Sequence, residues 1–217
     1  MRLLRPIALI PLLALLMSFD AIAGETERGT LSLLLAYPIA RWEILLGKLL
    51  AHLAILTLAV LLGHGLAAAV TFWSDPDAVN GLPALWRLSW SSILLGATFL
   101  GAGYALSSLS RRPSGAAGLA IGLWLGLVVL YDLALLTAIV ADNGGWFTTD
   151  AFPVALLANP ADAFRLFNLT ASGATAAAAG VGGAADAIPL WQSLASVLLW
   201  PFAALMLAAA AFRKVTP

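Results

Sequence analysis

Long apolar stretches alternate with short polar connectors along this chain. Five apolar segments stand out, at about 7–23 (interrupted by Pro11 and Asp20), 44–70, 88–107, 116–140 and 190–212. None shows the period-two alternation of a half-buried strand, and each approaches the ~20 residues that a helix needs to cross a bilayer core. Within lipid, backbone polar groups must be paired inside a helix or a closed barrel. The pattern therefore predicts an all-α, polytopic membrane helix bundle, with residues 1–217 as a single transmembrane domain. Composition sharpens this. Of 217 residues, 62% are hydrophobic and 10% charged, with a mean hydropathy of +0.97. Soluble domains carry about 25% charge, so neither a soluble globule nor a disordered chain fits, and no sizeable soluble domain can be housed in the connectors.

Charge then gives an orientation. Alternate connectors hold Arg28, Arg41, Arg111, Arg112, Arg213 and Lys214, with Lys48 just inside a span, whereas the other set holds only Arg87 and Arg165 beside several aspartates. Basic connectors favour the cytoplasmic side. The expectation is that Gly24–Glu43, Ser108–Gly115 and the C-terminus are cytoplasmic, and that Thr71–Arg87 and Ala141–Pro189 lie outside. Five spans then place Met1 outside, although Arg2 and Arg5 follow it. An earlier span with a cytoplasmic N-terminus would resolve this. The competing reading is a signal peptide cleaved after Ala21-Ile22-Ala23, which would invert every later loop against the charge bias.

Several chemistries drop out. Eleven basic residues balance 11 acidic ones, so nucleic acid is not an expected partner. With no cysteine there is no disulfide, thiolate metal site or cysteine nucleophile. His52 and His64 are twelve residues apart, about 120° around a helix, and make no joint metal site. No phosphate-binding G-x-x-x-x-G-K-[ST] loop occurs, and no nucleophile, base and orienting group share a loop. The chain is thus expected to be no enzyme and to hold no metal or cofactor. Asp132 is the main acid inside a span, about 24 Å along it from Ala116. Such acids either mark an ion path or make structural hydrogen bonds near the interface. Gly118, Gly122 and Gly126 form a small-residue row suited to close helix packing. Trp73, Trp86, Trp90, Trp146 and Trp191 are placed as an outer aromatic belt. Ala171–Ala187 reads as a flexible low-complexity insertion.

The densest polar patterning runs from Phe19 to Lys48, as F-D-A-I-A-G-E-T-E-R-G-T-L-S-L-L-L-A-Y-P-I-A-R-W-E-I-L-L-G-K. Thr30 is placed to cap a short helix after Gly29. Leu31, Leu34 and Leu35 share one of its faces, with Ser32 on the other. Pro38 stops the helix, and Glu43 suits the positive end of the next span. Taken alone, the segment is either an interfacial connector or a docking element, in which Glu25, Glu27, Arg28 and Arg41 make polar contacts and Gly29 and Pro38 fix the angle. A second pattern runs from Leu156 to Leu169. Asn159 can cap a helix that begins at Pro160, Asp162 sits in its first turn, and Phe164 and Phe167 are expected to face lipid or a partner.

The Phe19–Lys48 pattern resembles permease subunits of ABC-2 type ABC transporters. The resemblance implies that this segment is the coupling helix meeting an ATP-binding subunit, with Glu25, Glu27, Arg28, Gly29, Thr30, Leu31, Leu34, Pro38 and Arg41 as coupling residues. It implies ATP and Mg on that partner subunit only, a homodimer, and a bacterial inner-membrane location. It also implies six spans, of which five are present. The Leu156–Leu169 pattern and Tyr131-Asp132-Leu133 resemble the permease subfamily that supports copper-centre assembly of nitrous-oxide reductase. That implies a periplasmic β-helical maturation protein as a partner and an outer partner or exit region at Asn159, Pro160, Asp162, Phe164 and Arg165, with Asp132 as an intramembrane polar site. Two alternatives from other classes are a stand-alone channel or secondary transporter, and a membrane scaffold for a periplasmic assembly factor.

Overall fold

A computed structural model describes residues 4–170 and 188–215; the expected insertion at 171–187 lies outside the described residues. The helices are α1 (Leu4–Ser18), α2 (Asp20–Glu27), α3 (Thr30–Ala36), α4 (Arg41–Ser74), α5 (Leu82–Leu109), α6 (Pro113–Leu125), α7 (Tyr131–Asp142), α8 (Phe152–Ala158), α9 (Pro160–Thr170) and α10 (Leu190–Arg213). No strand occurs among the described residues. Five stretches are long and apolar enough to cross a membrane: Ala8–Glu27, Arg41–Ser74, Ala78–Leu109, Pro113–Asp142 and Leu190–Arg213. They coincide with the five expected spans, the third of them beginning ten residues earlier than expected, at Ala78.

α5 is the centre of the bundle. Its apolar stretch is 61% buried, against 6% for the α6–α7 span. Lipid tails are as apolar as leucine, so helices in a membrane associate by close packing and polar contacts. The α5 glycines supply that packing. A Cβ on Gly96 would stand 2.7 Å from Leu56 of α4, one on Gly101 would stand 3.0 Å from Ala204 of α10, and one on Gly103 would collide with the Ser18 hydroxyl of α1. Around these approaches, Phe99, Leu100, Tyr104, Leu15, Leu45 and Phe212 fill the core. The expected row at Gly118, Gly122 and Gly126 behaves differently. A Cβ there would meet nothing within 4 Å, because this face of α6 is turned away from the rest of the chain. Among the described residues no helix packs closely on these glycines.

α1 and α2 form one bent span. Where they meet, the Ser107 hydroxyl of α5 accepts hydrogen bonds from the N–H groups of Ile22 and Ala23, both at 2.9 Å. A side chain inserted into the i→i−4 ladder is a recognised cause of a kink, and here it pairs two N–H groups at the bend. The predicted signal-peptide site, Ala21–Ala23, is thus wound into a helix, with Ile22 and Ala23 buried.

His52 and His64 have separate partners, as their spacing requires. His52 Nδ1 lies 2.7 Å from the Tyr104 hydroxyl, and His64 Nδ1 lies 2.9 Å from Ser89 Oγ.

Gly103→Ala is expected to destabilise the bundle by about 1–3 kcal/mol, since the new methyl must displace Ser18 from α5. Gly65→Ala, where a Cβ meets open space, should instead raise stability by up to about 1 kcal/mol through helix propensity. Thermal unfolding in detergent would measure both.

Candidate functional sites at the two ends of the bundle

The bundle has a basic end, formed by α2–α3, the Ser110–Arg112 turn and the end of α10, and an opposite end formed by the α4–α5 connection, α8 and α9. Each end holds one of the two segments singled out in the sequence.

At the basic end, Gly29 takes a left-handed conformation (φ 71°, ψ 7°) and forms the N-cap of α3. This corrects the placement of Thr30 as the cap. The chain must reverse direction after α2, and glycine enters that region without the steric cost of a Cβ. Thr30 becomes the first helical residue, and its hydroxyl donates back to the Glu25 carbonyl at 3.3 Å. The predicted faces of α3 are present. Leu31 is 1% exposed, and Leu34 and Leu35 pack against the core, while Ser32 and Leu33 face out. The Pro38 stretch ends α3, and the Glu43 carboxylate accepts the Ala40 N–H at 2.9 Å at the start of α4.

The charged residues here divide into two groups. Glu25 is tied to Lys48 at 2.6 Å, and the Arg41 guanidinium donates to backbone carbonyls at the end of α10. Glu27, Arg28, Gly29 and Thr30 are exposed, with Arg28 only loosely paired to Asp20 at 3.7 Å. Beside them is an apolar surface that the sequence reading did not single out: Leu33, Tyr37, Ile39 and Trp42, which are 66%, 65%, 46% and 57% exposed. The leucine periodicity pointed to the buried face of α3. The opposite face could have been found from the same helix wheel, since Leu33 breaks the polar side.

At the opposite end, Asn159 interrupts the helix between α8 and α9 and satisfies the break from both sides. Its Oδ1 accepts the Ala161 N–H at 3.0 Å, which is the expected N-cap. Its Nδ2 donates to the Leu127 carbonyl at 2.7 Å and to Asp162 at 3.0 Å. That carbonyl is free because residues Gly126–Leu130 form a π-turn, in which the Tyr131 N–H reaches back to Gly126 instead of Leu127. Such turns are frequent at functional sites. The last carbonyls of α8 are also taken. The Tyr131 hydroxyl donates to Ala155 O at 2.8 Å, and Ser196 of α10 donates to Leu157 O at 2.8 Å.

Arg165 gathers the acids. It makes two hydrogen bonds of 3.1 Å to the carboxylate of Asp132 and one to Asp162, one helical turn away. Asp132 and the Asn159–Arg165 segment, which the sequence presented as two separate features, are therefore one site. Nothing in the spacing signalled that pairing. Pro160 starts α9, as expected. Phe164 and Phe167, expected to face lipid or a partner, are instead 1% and 4% exposed. The correction has a clear cause: α9 is inserted between α5, α8 and α10, so both of its faces are covered. Trp90, expected in the aromatic belt, packs edge-on against Phe167 at 5.3 Å. Trp73, Trp86, Trp146 and Trp191 are exposed as a belt requires. Burial pushes the Asp162 carboxyl up to about 7, against the opposing pull of Arg165. No group of His, Asp and Glu arranged to hold a metal ion occurs among the described residues.

The family model described as "ABC-2 family transporter protein" matches residues 7–215. The chain is 47% identical over 212 residues to a protein of Pseudomonas aeruginosa named "Probable ABC transporter permease protein NosY", covering 95% of this chain and 76% of the relative. It is 43% identical over 213 residues to a protein of the same name from Stutzerimonas stutzeri, with the same coverage.

Removing Arg165 leaves two acids facing each other, one of them buried. Arg165→Gln should cost about 3–5 kcal/mol at pH 8, with part of the loss recovered at pH 5, where Asp162 is protonated. Asp132→Asn should cost about 1 kcal/mol or less, because the Asp132 side chain is itself 41% exposed and Arg165 keeps its contact with Asp162. The acid of Asp162 titrates higher in the folded than in the unfolded chain, so its protonated form stabilises the fold. That contribution is complete below the ordinary carboxylate range and declines as pH rises from about 4 to 7. The stability of wild type relative to Asp162→Asn should fall over that window and be flat above it, as read from unfolding midpoints in detergent.

Proposed function

The chain belongs to the ABC-2 family of transporter proteins, as a multi-pass membrane permease subunit, and from that premise we propose that it couples ATP hydrolysis on a separate subunit to work across the inner membrane in support of copper-centre assembly of nitrous-oxide reductase. The observation that carries the coupling role is α3. Leu31 anchors it in the core, and Leu33, Tyr37 and Ile39 present an apolar surface bordered by Glu27 and Arg28. An exposed apolar patch with a polar rim is the usual mark of a protein-docking site. The basic end that bears it is the cytoplasmic end by charge bias, which puts the C-terminus inside and the α8–α9 region in the periplasmic half. ATP and Mg then reside on the docked subunit, and this chain supplies no catalytic group.

Two copies of the permease complete the unit in this reading. The open Gly118–Gly122–Gly126 face of α6 offers the close backbone approach that membrane helices use to pair, and its span is 6% buried within one chain. The likeness of Leu156–Leu169 and Tyr131-Asp132-Leu133 to the nitrous-oxide reductase subfamily, together with the name borne by both relatives, supports the narrower role. A periplasmic β-helical maturation protein would meet the α8–α9 end.

Purification from native membranes in mild detergent should recover a soluble Walker-type ATPase with this chain. Leu33→Glu with Tyr37→Glu should reduce that recovery at least ~10-fold, the equivalent of about 1.4 kcal/mol, while leaving the bundle folded. Gly118→Ile with Gly122→Ile should abolish cross-linking between copies without releasing the ATPase. Failure of any ATPase to accompany the wild-type chain would overturn the coupling role.

A further inference from the structure

Arg41 makes a connection that a docking role does not require. It is the first residue of α4, three positions past Pro38, and so stands at the junction between the α3 segment and the membrane. Its Nη1 lies 3.1 Å from the Phe212 carbonyl, 3.1 Å from the Arg213 carbonyl and 2.7 Å from the Val215 carbonyl. The guanidinium carbon is 6.0 Å from the centre of the Phe212 ring, and Phe212 is itself 1% exposed in the core. The last carbonyls of a helix have no partner within the helix and carry its negative end. A guanidinium is well suited to that position, because it is permanently charged and its donors are held in a rigid plane.

The surroundings show how much depends on this contact. α4 packs more extensively on α5 than on α10. Where α4 meets α10, Leu45 and Phe212 are buried in the core, and beside them a cavity of about 210 Å³ opens between Trp42, Leu45, Ala209 and Phe212, with Arg41 and Arg213 at its edge. At that edge the guanidinium supplies the polar link between the start of α4 and the end of α10.

We propose that Arg41 is a positioning residue that transfers displacement of the α3 segment to α10, so that α4 and α10 move as one body during the ATP cycle. This rests on the coupling reading above. Displacement of α3 passes through Pro38 to the start of α4, and the guanidinium carries it across to α10. Without it, α4 would slide past α10 at the cavity, and the last span would stay with α5.

The chain has no cysteine, so paired spin labels can be placed without removing native thiols. Leu50→Cys on α4 and Met206→Cys on α10 are both exposed positions. The pair would be measured by pulsed electron resonance in nanodiscs, in complex with the ATPase and with labelled chain diluted so that each assembly carries one labelled copy. With Arg41 present, the α4–α10 distance should be the same with and without ATP. Arg41→Gln should lose that invariance while the ATPase remains bound, and Arg41→Met, which keeps much of the stem but no donor, should lose it too. Should the Gln variant fail to fold, the Met variant decides, since an unchanged distance in it overturns the proposal. An unchanged distance in Arg41→Gln also overturns it. So does loss of the ATPase from Arg41→Gln but not from wild type, which would make Arg41 a docking contact. Absence of the ATPase from wild type would instead defeat the coupling reading itself.

Discussion

A backbone group buried in a membrane must find a hydrogen-bond partner inside the protein, since lipid offers none. Uninterrupted helices meet this constraint automatically. At three of the places where the described helices bend or end, a side chain supplies the missing partner. Ser107 takes two N–H groups at the α1–α2 bend. Asn159 serves its own helix start and the carbonyl released by the π-turn near Leu127. Arg41 serves the end of α10. An unpaired buried polar group costs about 1–3 kcal/mol or more, so these three side chains fix where the helices can bend. The two candidate sites lie beside those points.

The spans were legible because their signal is one-dimensional. A run of about 20 apolar residues has few alternatives to a membrane helix, and each of the five coincides with a helical stretch long and apolar enough to cross. The helix faces of α3 were legible for the same reason, since periodicity puts Leu31, Leu34 and Leu35 together whatever they pack on. The cap at Asn159 followed from local chemistry, since asparagine before Pro160 has one favourable geometry.

What escaped the sequence was pairing across it. Arg165 looked like a loop charge and Asp132 like a lone intramembrane acid, yet 33 residues of chain bring them into a bidentate contact. Arg41, expected among the polar contacts of a docking element, reaches across to Phe212, 171 positions away. Phe164 and Phe167 looked lipid-facing because apolar residues satisfy lipid and protein interior equally well. The glycines illustrate the same limit. Gly118, Gly122 and Gly126 carry the regular spacing, but the close approaches in this chain are at Gly96, Gly101 and Gly103, whose spacing follows no single helix face. Their demand for small side chains comes from three different neighbours.

The length of α4 carries a further consequence. Its 34 residues span about 51 Å at 1.5 Å per residue, whereas a bilayer's hydrocarbon layer is ~30 Å thick. The helix therefore exceeds that layer by about 20 Å. An excess of that size is taken up by tilt or by turns that stand beyond the hydrocarbon, and the first turn of α4, which carries Arg41 and Glu43, has the charge that suits it to the headgroup zone.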